Sequence, residues 1–120
     1  MSLFRVNVVV RNTKDDARET PPIEALVDTG SELSWLPAEV LSQAGIVPRR
    51  KRTFVNATRQ TVARDVGYAI LASEGYETAD EVVFAEPGDL TLLGVRTLEG
   101  FGVLVDSVGH RFVAQTSIVA

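Results

Sequence analysis

An apolar run, Ala25-Leu26-Val27, ends directly on an aspartate, Asp28, which is followed by Thr29, Gly30 and Ser31. A carboxylate reached straight from an apolar strand stands at the edge of a core, where charge is costly unless it is hydrogen-bonded or shared. Gly30 lets backbone approach that carboxylate, and Thr29 and Ser31 supply hydroxyls on either side. The chain therefore needs a strand that stops at an opening and a scaffold that holds the turn after it. Other chemistries are poorly served. The 120 residues hold no Cys and a single His, His110, so disulfides, thiolate metal sites and thiol nucleophiles are excluded. His110 falls in a turn without evident partners, which argues against a histidine-dependent triad. No metal and no cofactor are expected, and Asp15-Asp16 reads as solvated surface.

The rest of the pattern predicts a mostly β chain. Leu3 to Val10 is β-branched and reads as a strand, Asn12 to Pro22 as an exposed loop, and Ile23 to Val27 as a second strand. Pro37 can open a short helix through Ala44, with Val40, Leu41 and Ala44 on one face and Gly45 placed to stop it. Trp35 reads as a core aromatic. Thr53 to Val55 and Gln60 to Leu71 form a long hairpin with the polar tip Asn56-Ala57-Thr58-Arg59, and Glu81 to Ala85 is another strand. Leu90 to Leu93 leads into Gly94 and a helix with Val95, Leu98 and Phe101 at spacing three. Val103 to Val105 and Arg111 to Val119 are strands around a turn at Ser107 to His110. One domain over residues 1–120 is expected.

Charge and hydropathy narrow the partners. The net charge of -4 argues against a polyanion-binding surface, and the basic run Arg49-Arg50-Lys51-Arg52 reads as a solvated connection. The start of the chain is unlike a secretory signal, and no apolar stretch approaches the ~18 residues of a membrane span. A soluble, cytoplasmic protein without membrane or nucleic-acid partners is the expectation, and Asn56-Ala57-Thr58 matches a glycosylation acceptor only by accident.

The segment Ala25 to Pro37 resembles the active-site motif of aspartic proteases, an apolar pair followed by Asp-Thr-Gly-Ser, and Leu33-Ser34-Trp35-Leu36-Pro37 is similar to its pepsin-like version. Leu92-Leu93-Gly94 before a short helix resembles the apolar-apolar-glycine segment of the same fold. The hairpin tip lies between the two motifs, where the family carries its flap. Two-lobed members have two aspartates, whereas this chain has one Asp-Thr-Gly, so the resemblance is to the single-domain retropepsins, over roughly Phe4 to Arg111.

That resemblance implies a retropepsin-like acid protease fold, a closed β-barrel-like domain with one or two short helices, active as a homodimer on a peptide or protein substrate. It implies catalytic roles for Asp28, Thr29 and Gly30, and a substrate-binding surface of Ser31, Asn56, Ala57, Thr58, Leu93 and Gly94. Two Asp28 carboxylates at a two-fold axis would share a proton and activate a water. Thr29 would brace the two loops across the dimer. Ser31 would donate to the outer oxygen of Asp28, which implies an acidic working range. The segment Arg111 to Ala120 would pair with its symmetry mate or complete its own sheet. The alternative is a domain that keeps this fold without activity, as a dimerisation or peptide-binding module.

Overall fold

The computed structural model describes residues 4–119. In chain order the elements are β1 (Arg5–Asn12), β2 (Asp15–Glu19), β3 (Ile23–Val27), β4 (Ser34–Pro37), α1 (Ala38–Gln43), β5 (Arg50–Val55) and β6 (Thr61–Ser73), then β7 (Tyr76–Ala85), β8 (Leu92–Leu93), α2 (Val95–Phe101), β9 (Val103–Asp106) and β10 (Arg111–Ala114). Period-two burial explains the early strands. Val6, Val8 and Val10 of β1 and Ile23, Ala25 and Val27 of β3 point inward, while Arg5, Asn7 and Glu24 face out.

Eight strands form one mixed sheet in the order β2-β1-β3-β8-β4-β7-β6-β5, and a further pairing of β1 with β6 closes six of them into a ring. Most neighbours are antiparallel, but β3 runs parallel to β8 and β4 parallel to β7. β2 and β5 extend from the ring as outer strands, and β9 and β10 make a separate two-stranded sheet. The main core gathers Val8, Val10, Val27, Leu36, Leu41, Leu71, Leu93 and Phe101. A smaller cluster of Leu33, Val66 and Val83, with Trp35 and Phe54 packed on it, lies across β7 from the first. β7 alternates between them, Val82 and Phe84 joining one and Val83 the other. Its stretch Glu81 to Ala85 is therefore buried on both faces.

Several elements differ from the sequence expectation, each for a physical reason. The Asn12 to Pro22 segment contains β2, an outer strand whose five residues, Asp15 and Asp16 included, are all exposed and leave no apolar period to read. Pro37 ends β4 and caps α1 rather than opening it, while Gly45 stops the helix in the left-handed region (φ 75°) as expected. β10 ends at Ala114. Gln115 donates its backbone N–H to the Gly102 carbonyl at 2.8 Å, and Thr116 to Val119 run exposed without a strand partner among the described residues, so the expected strand to Val119 is shorter. Leu3, where the first expected strand begins, and Ala120, the last residue of the segment expected to pair, lie outside the described residues. Among the described residues no helix is long and apolar enough to cross a membrane.

The basic run is structured as well. Arg50 to Arg52 begin β5, and Arg50 and Arg52, alternate residues on one face, both reach Glu81, which is 4% exposed on β7. Arg50 Nη2 donates to Glu81 Oε2 at 2.8 Å and Arg52 Nη1 to Oε1 at 3.0 Å, while Arg96 of α2 lies 3.6 Å from the same carboxylate. Burial by itself pushes the Glu81 carboxyl up, but the hydrogen bonds and charges of Arg50 and Arg52 outweigh it and hold the group below the usual carboxylate range. A carboxyl depressed in the folded state contributes stability above its unfolded pKa and loses that contribution as pH falls through the folded value. Stability to urea is therefore expected to hold from neutral pH down to about 4.5 and then decline, with a shallower decline in Glu81→Gln. At neutral pH the same variant, leaving Arg50 without its counter-charge, is expected to lose about 1 to 3 kcal/mol.

Candidate functional site

Val27, buried at the end of β3, delivers Asp28 to the rim of the ring. The Asp28 N–H donates to the Leu93 carbonyl at 3.0 Å and the Leu26 N–H to the Thr91 carbonyl at 3.0 Å, continuing the parallel register of Leu26 with Leu92 and Val27 with Leu93. The chain then turns. Gly30 donates its N–H to Asp28 Oδ1 at 2.9 Å, Ser31 donates its N–H to the Asp28 carbonyl at 3.2 Å, and the chain returns as β4 with Trp35 opposite Leu92. β8 thus lies between the two strands that flank the Asp28 loop.

Gly94 clamps that loop from behind. A methyl group at Gly94 would stand 2.5 Å from the Leu33 carbonyl carbon and 2.9 Å from the Ser31 carbonyl oxygen, so only glycine lets the two backbones pass. The first N–H groups of α2 use this proximity. Val95 donates to the Ser31 carbonyl at 2.8 Å and Arg96 to the Glu32 carbonyl at 3.0 Å. A buried relay sits beneath. The Gly94 N–H donates to Ser34 Oγ (2.9 Å), Ser34 lies 2.7 Å from Thr97 Oγ1, and Thr97 donates to Asp80 Oδ2 (3.0 Å). Because the Thr97 proton is committed to the carboxylate, Ser34 donates to Thr97, and all donors point one way towards Asp80.

In front of the loop opens a cleft of about 720 Å³. Asp28, Gly30 and Ser31 form one wall, Phe54 and Asn56 to Thr58 of the β5–β6 hairpin another, and Leu90 and Leu92 a third. The hairpin is in continuous register from Arg50 opposite Val66 to Val55 opposite Thr61. Its tip is braced by one side chain: Asn56 Oδ1 accepts the N–H groups of Thr58 (3.1 Å) and Gln60 (2.9 Å) and the Thr58 hydroxyl (2.8 Å). Arg59 closes the turn with φ at 64°, a left-handed conformation in which a side chain is strained. The 86–90 loop is tied to β6 by Arg64, which grips Asp89 with both sides of its guanidinium fork at 2.7 and 2.9 Å. The Arg64 hydrogen bond holds the Asp89 carboxyl below the usual range, against the opposing effect of burial.

The sequence-derived site residues fall into two groups. Asp28, Gly30, Ser31, Asn56, Ala57 and Thr58 come together around the cleft although the chain separates them by more than twenty residues. Thr29 is exposed on the loop beside it, and Leu93 and Gly94 are buried behind the loop, one in the core and one against backbone, so they support the site and do not line it. The Ser31 hydroxyl departs from expectation. It donates to the Leu33 carbonyl at 2.7 Å, the acceptor that its own turn brings closest, and not to Asp28. The acidic working range inferred from that bond therefore loses its basis. Trp35 is both core and wall, half-buried on the smaller cluster and edge-on to Phe54 at 5.0 Å while lining the cleft. His110 stacks on Phe4 (5.2 Å, 7° between rings) and takes no part in the cleft. Sequence reasoning missed the Ser34–Thr97–Asp80 relay and the Arg64–Asp89 clamp. The one available signal was a hydroxyl residue, Thr97, beside the apolar stripe of a short helix.

No protein-family model matches the sequence, and no curated protein matches it. The fold is similar to part of a foamy viral protease-reverse transcriptase solved in complex with double-stranded DNA, at 16% identity and a TM-score of 0.53 over 78% of this chain. It is similar also to foamy viral protease-reverse transcriptase in complex with an RNA/DNA hybrid, at 16% identity and a TM-score of 0.56 over 98% of this chain. The likeness is one of fold alone, and this chain spans 14% and 13% of the length of those two chains.

Two substitutions test the geometry. Gly94→Ala is expected to cost roughly 1 to 3 kcal/mol by overpacking, read as a lower denaturation midpoint, with amide exchange quickened at Ser31 to Ser34. Arg59→Gly is expected to raise stability by about 1 kcal/mol by relieving the left-handed turn, and an unchanged or lower midpoint would mean that Arg59 is not strained.

Proposed function

We propose that this chain is one half of a homodimeric aspartic endopeptidase of the retropepsin type. The observation that carries the reading is the placement of Asp28: its carboxylate faces a peptide-sized cleft beneath a hairpin, on a loop clamped by β8 and α2. The fold likeness to chains whose names include a protease agrees with it. Since the Asp-Thr-Gly triplet occurs once, a second copy supplies the second carboxylate.

In the dimer the two Asp28 carboxyls share one proton, because two adjacent carboxylates cannot both ionise easily. The ionised member removes a proton from a water, and the hydroxide oxygen forms a bond to the scissile carbonyl carbon. The protonated member donates a hydrogen bond to the carbonyl oxygen as it gains negative charge. Collapse of the tetrahedral intermediate breaks the C–N bond, and a carboxyl proton passes to the leaving amine. The Gly30 N–H keeps one Asp28 oxygen oriented throughout. Trp35, Phe54, Val62, Leu90 and Leu92 give the cleft an apolar lining, so apolar side chains are favoured beside the cleaved bond. In this dimer Thr29, exposed on the loop, braces the partner's loop, and the exposed Ile118 and Val119 add apolar contact between copies.

A peptide library assayed between about pH 3 and pH 7 is expected to be cleaved by the wild type, with a loss of roughly 10²- to 10⁴-fold in Asp28→Asn while sedimentation still reports a dimer. Cleavage retained in the variant would remove Asp28 from the chemistry. A folded wild-type dimer that binds peptides without cutting them would favour a peptide-binding module, which the glycine-free, Asn56-braced hairpin tip also suits.

A further inference from the structure

A second cavity, of about 300 Å³, lies between the β1–β2 turn, the end of α1 and the segment before β5, and it shares no lining residue with the Asp28 cleft. Its charge is unusual for this chain. Of the twelve Lys and Arg residues, eight form ion pairs among the described residues, and only Lys14, Arg18, Arg49 and Arg59 do not. Three of those four line this one cavity. Mutual repulsion opposes gathering three unpaired cations in one place, even in a chain of net charge -4. The one acidic group in the lining, Asp15, accepts the Ala17 N–H on Oδ1 at 3.0 Å and forms no ion pair with these cations.

The backbone around the cavity is tied in place, while the three cations themselves are exposed. Asn12 Nδ2 donates to the carbonyls of Ala44 (3.1 Å) and Gly45 (2.9 Å), and Asn12 Oδ1 accepts the Lys14 N–H (2.8 Å), which ties the turn carrying Lys14 to the end of α1. The Arg18 guanidinium lies against Gly45, with its carbon 2.5 Å from where a methyl would stand, so glycine there makes room for the cation as well as for the turn. Backbone holds Arg49, whose N–H donates to the Val66 carbonyl at 2.7 Å. Tyr68, about half exposed, adds a phenol to the wall.

We propose that this cavity binds a small phosphate-bearing ligand through Lys14, Arg18 and Arg49. Two guanidinium forks match the geometry of phosphate oxygens, and a lysine adds a point charge for a dianion. The volume, at the low end for small-molecule sites, admits a phosphate monoester of modest size and not a folded polymer. The site does not depend on the peptidase reading.

The test is a titration of the ¹⁵N-labelled protein with inorganic phosphate and, separately, with glycerol 3-phosphate, each against sodium chloride at matched ionic strength. Saturable shifts are expected at residues 12–18 and 45–49, and not at the Asp28 loop. Arg49→Gln and Lys14→Gln are each expected to weaken binding roughly tenfold, whereas Arg5→Gln, which removes the same charge from the other end of β1, leaves it unchanged. Tighter binding of the ester identifies a phosphorylated small molecule, and equal binding identifies free phosphate. Shifts that chloride reproduces, or that Arg5→Gln weakens as much as Arg49→Gln does, overturn the proposal. Retention of native dispersion in the two cavity variants separates lost binding from lost folding.

Discussion

The passage of Gly94 against the backbone of Ser31 to Leu33 is the contact on which the site depends. β8 contributes only two residues, too few to hold a strand by their own pairing, yet both its neighbours, β3 and β4, carry the ends of the Asp28 loop. What keeps it there is the absence of a side chain at Gly94, which lets the N-terminal amides of α2 reach the loop carbonyls. Those amides would otherwise lack partners at the start of a helix, and the loop carbonyls would face a buried wall. One close approach therefore satisfies both sets of groups and fixes the carboxylate in front of them.

The two sides of the Asp28 cleft are coupled through charge. Arg52 reaches Glu81 and, at 3.6 Å, Glu32 beside the Asp28 loop, while its guanidinium stacks over Phe54 of the hairpin. Arg96, at the start of the helix that clamps the loop, faces the acidic pair Asp80 and Glu81. The hairpin base, the loop and α2 are thus joined through one buried acidic position on β7. Glu81 can carry its charge in near-complete burial because several guanidinium groups surround it, and removing either side of such an arrangement leaves the other uncompensated. Ion pairs elsewhere, such as Arg5–Glu24 and Lys51–Asp65, join neighbouring strands at the surface, and the cations around the second cavity take part in none of them.

The strand order brings these features together. Pairing of β1 with β6 closes the ring, so the β5–β6 hairpin leans over the Asp28 loop, and the β1–β2 turn meets the end of α1 elsewhere on the surface. The cleft and the cation-lined cavity are consequences of one topology, set apart in space and lined by different residues.

Local sequence determined much of this. The β-branched run of β1, the apolar run into Asp28, Gly45 after α1, and the polar tip of the long hairpin were each legible, because local composition and turn chemistry report directly on strand formation and backbone conformation. Elements without an apolar signature escaped: β2 is wholly exposed, the start of β5 is a run of cations, and the first half of β7 alternates too weakly to be read. Only the tertiary structure decided that Leu93 and Gly94 lie behind the loop, that the Ser31 hydroxyl turns to Leu33, that Arg50 and Arg52 converge on Glu81, and that three unpaired cations share a cavity. Each of these depends on which segment passes beside which across a closed sheet, and long-range strand pairing leaves no local periodicity from which that could be read.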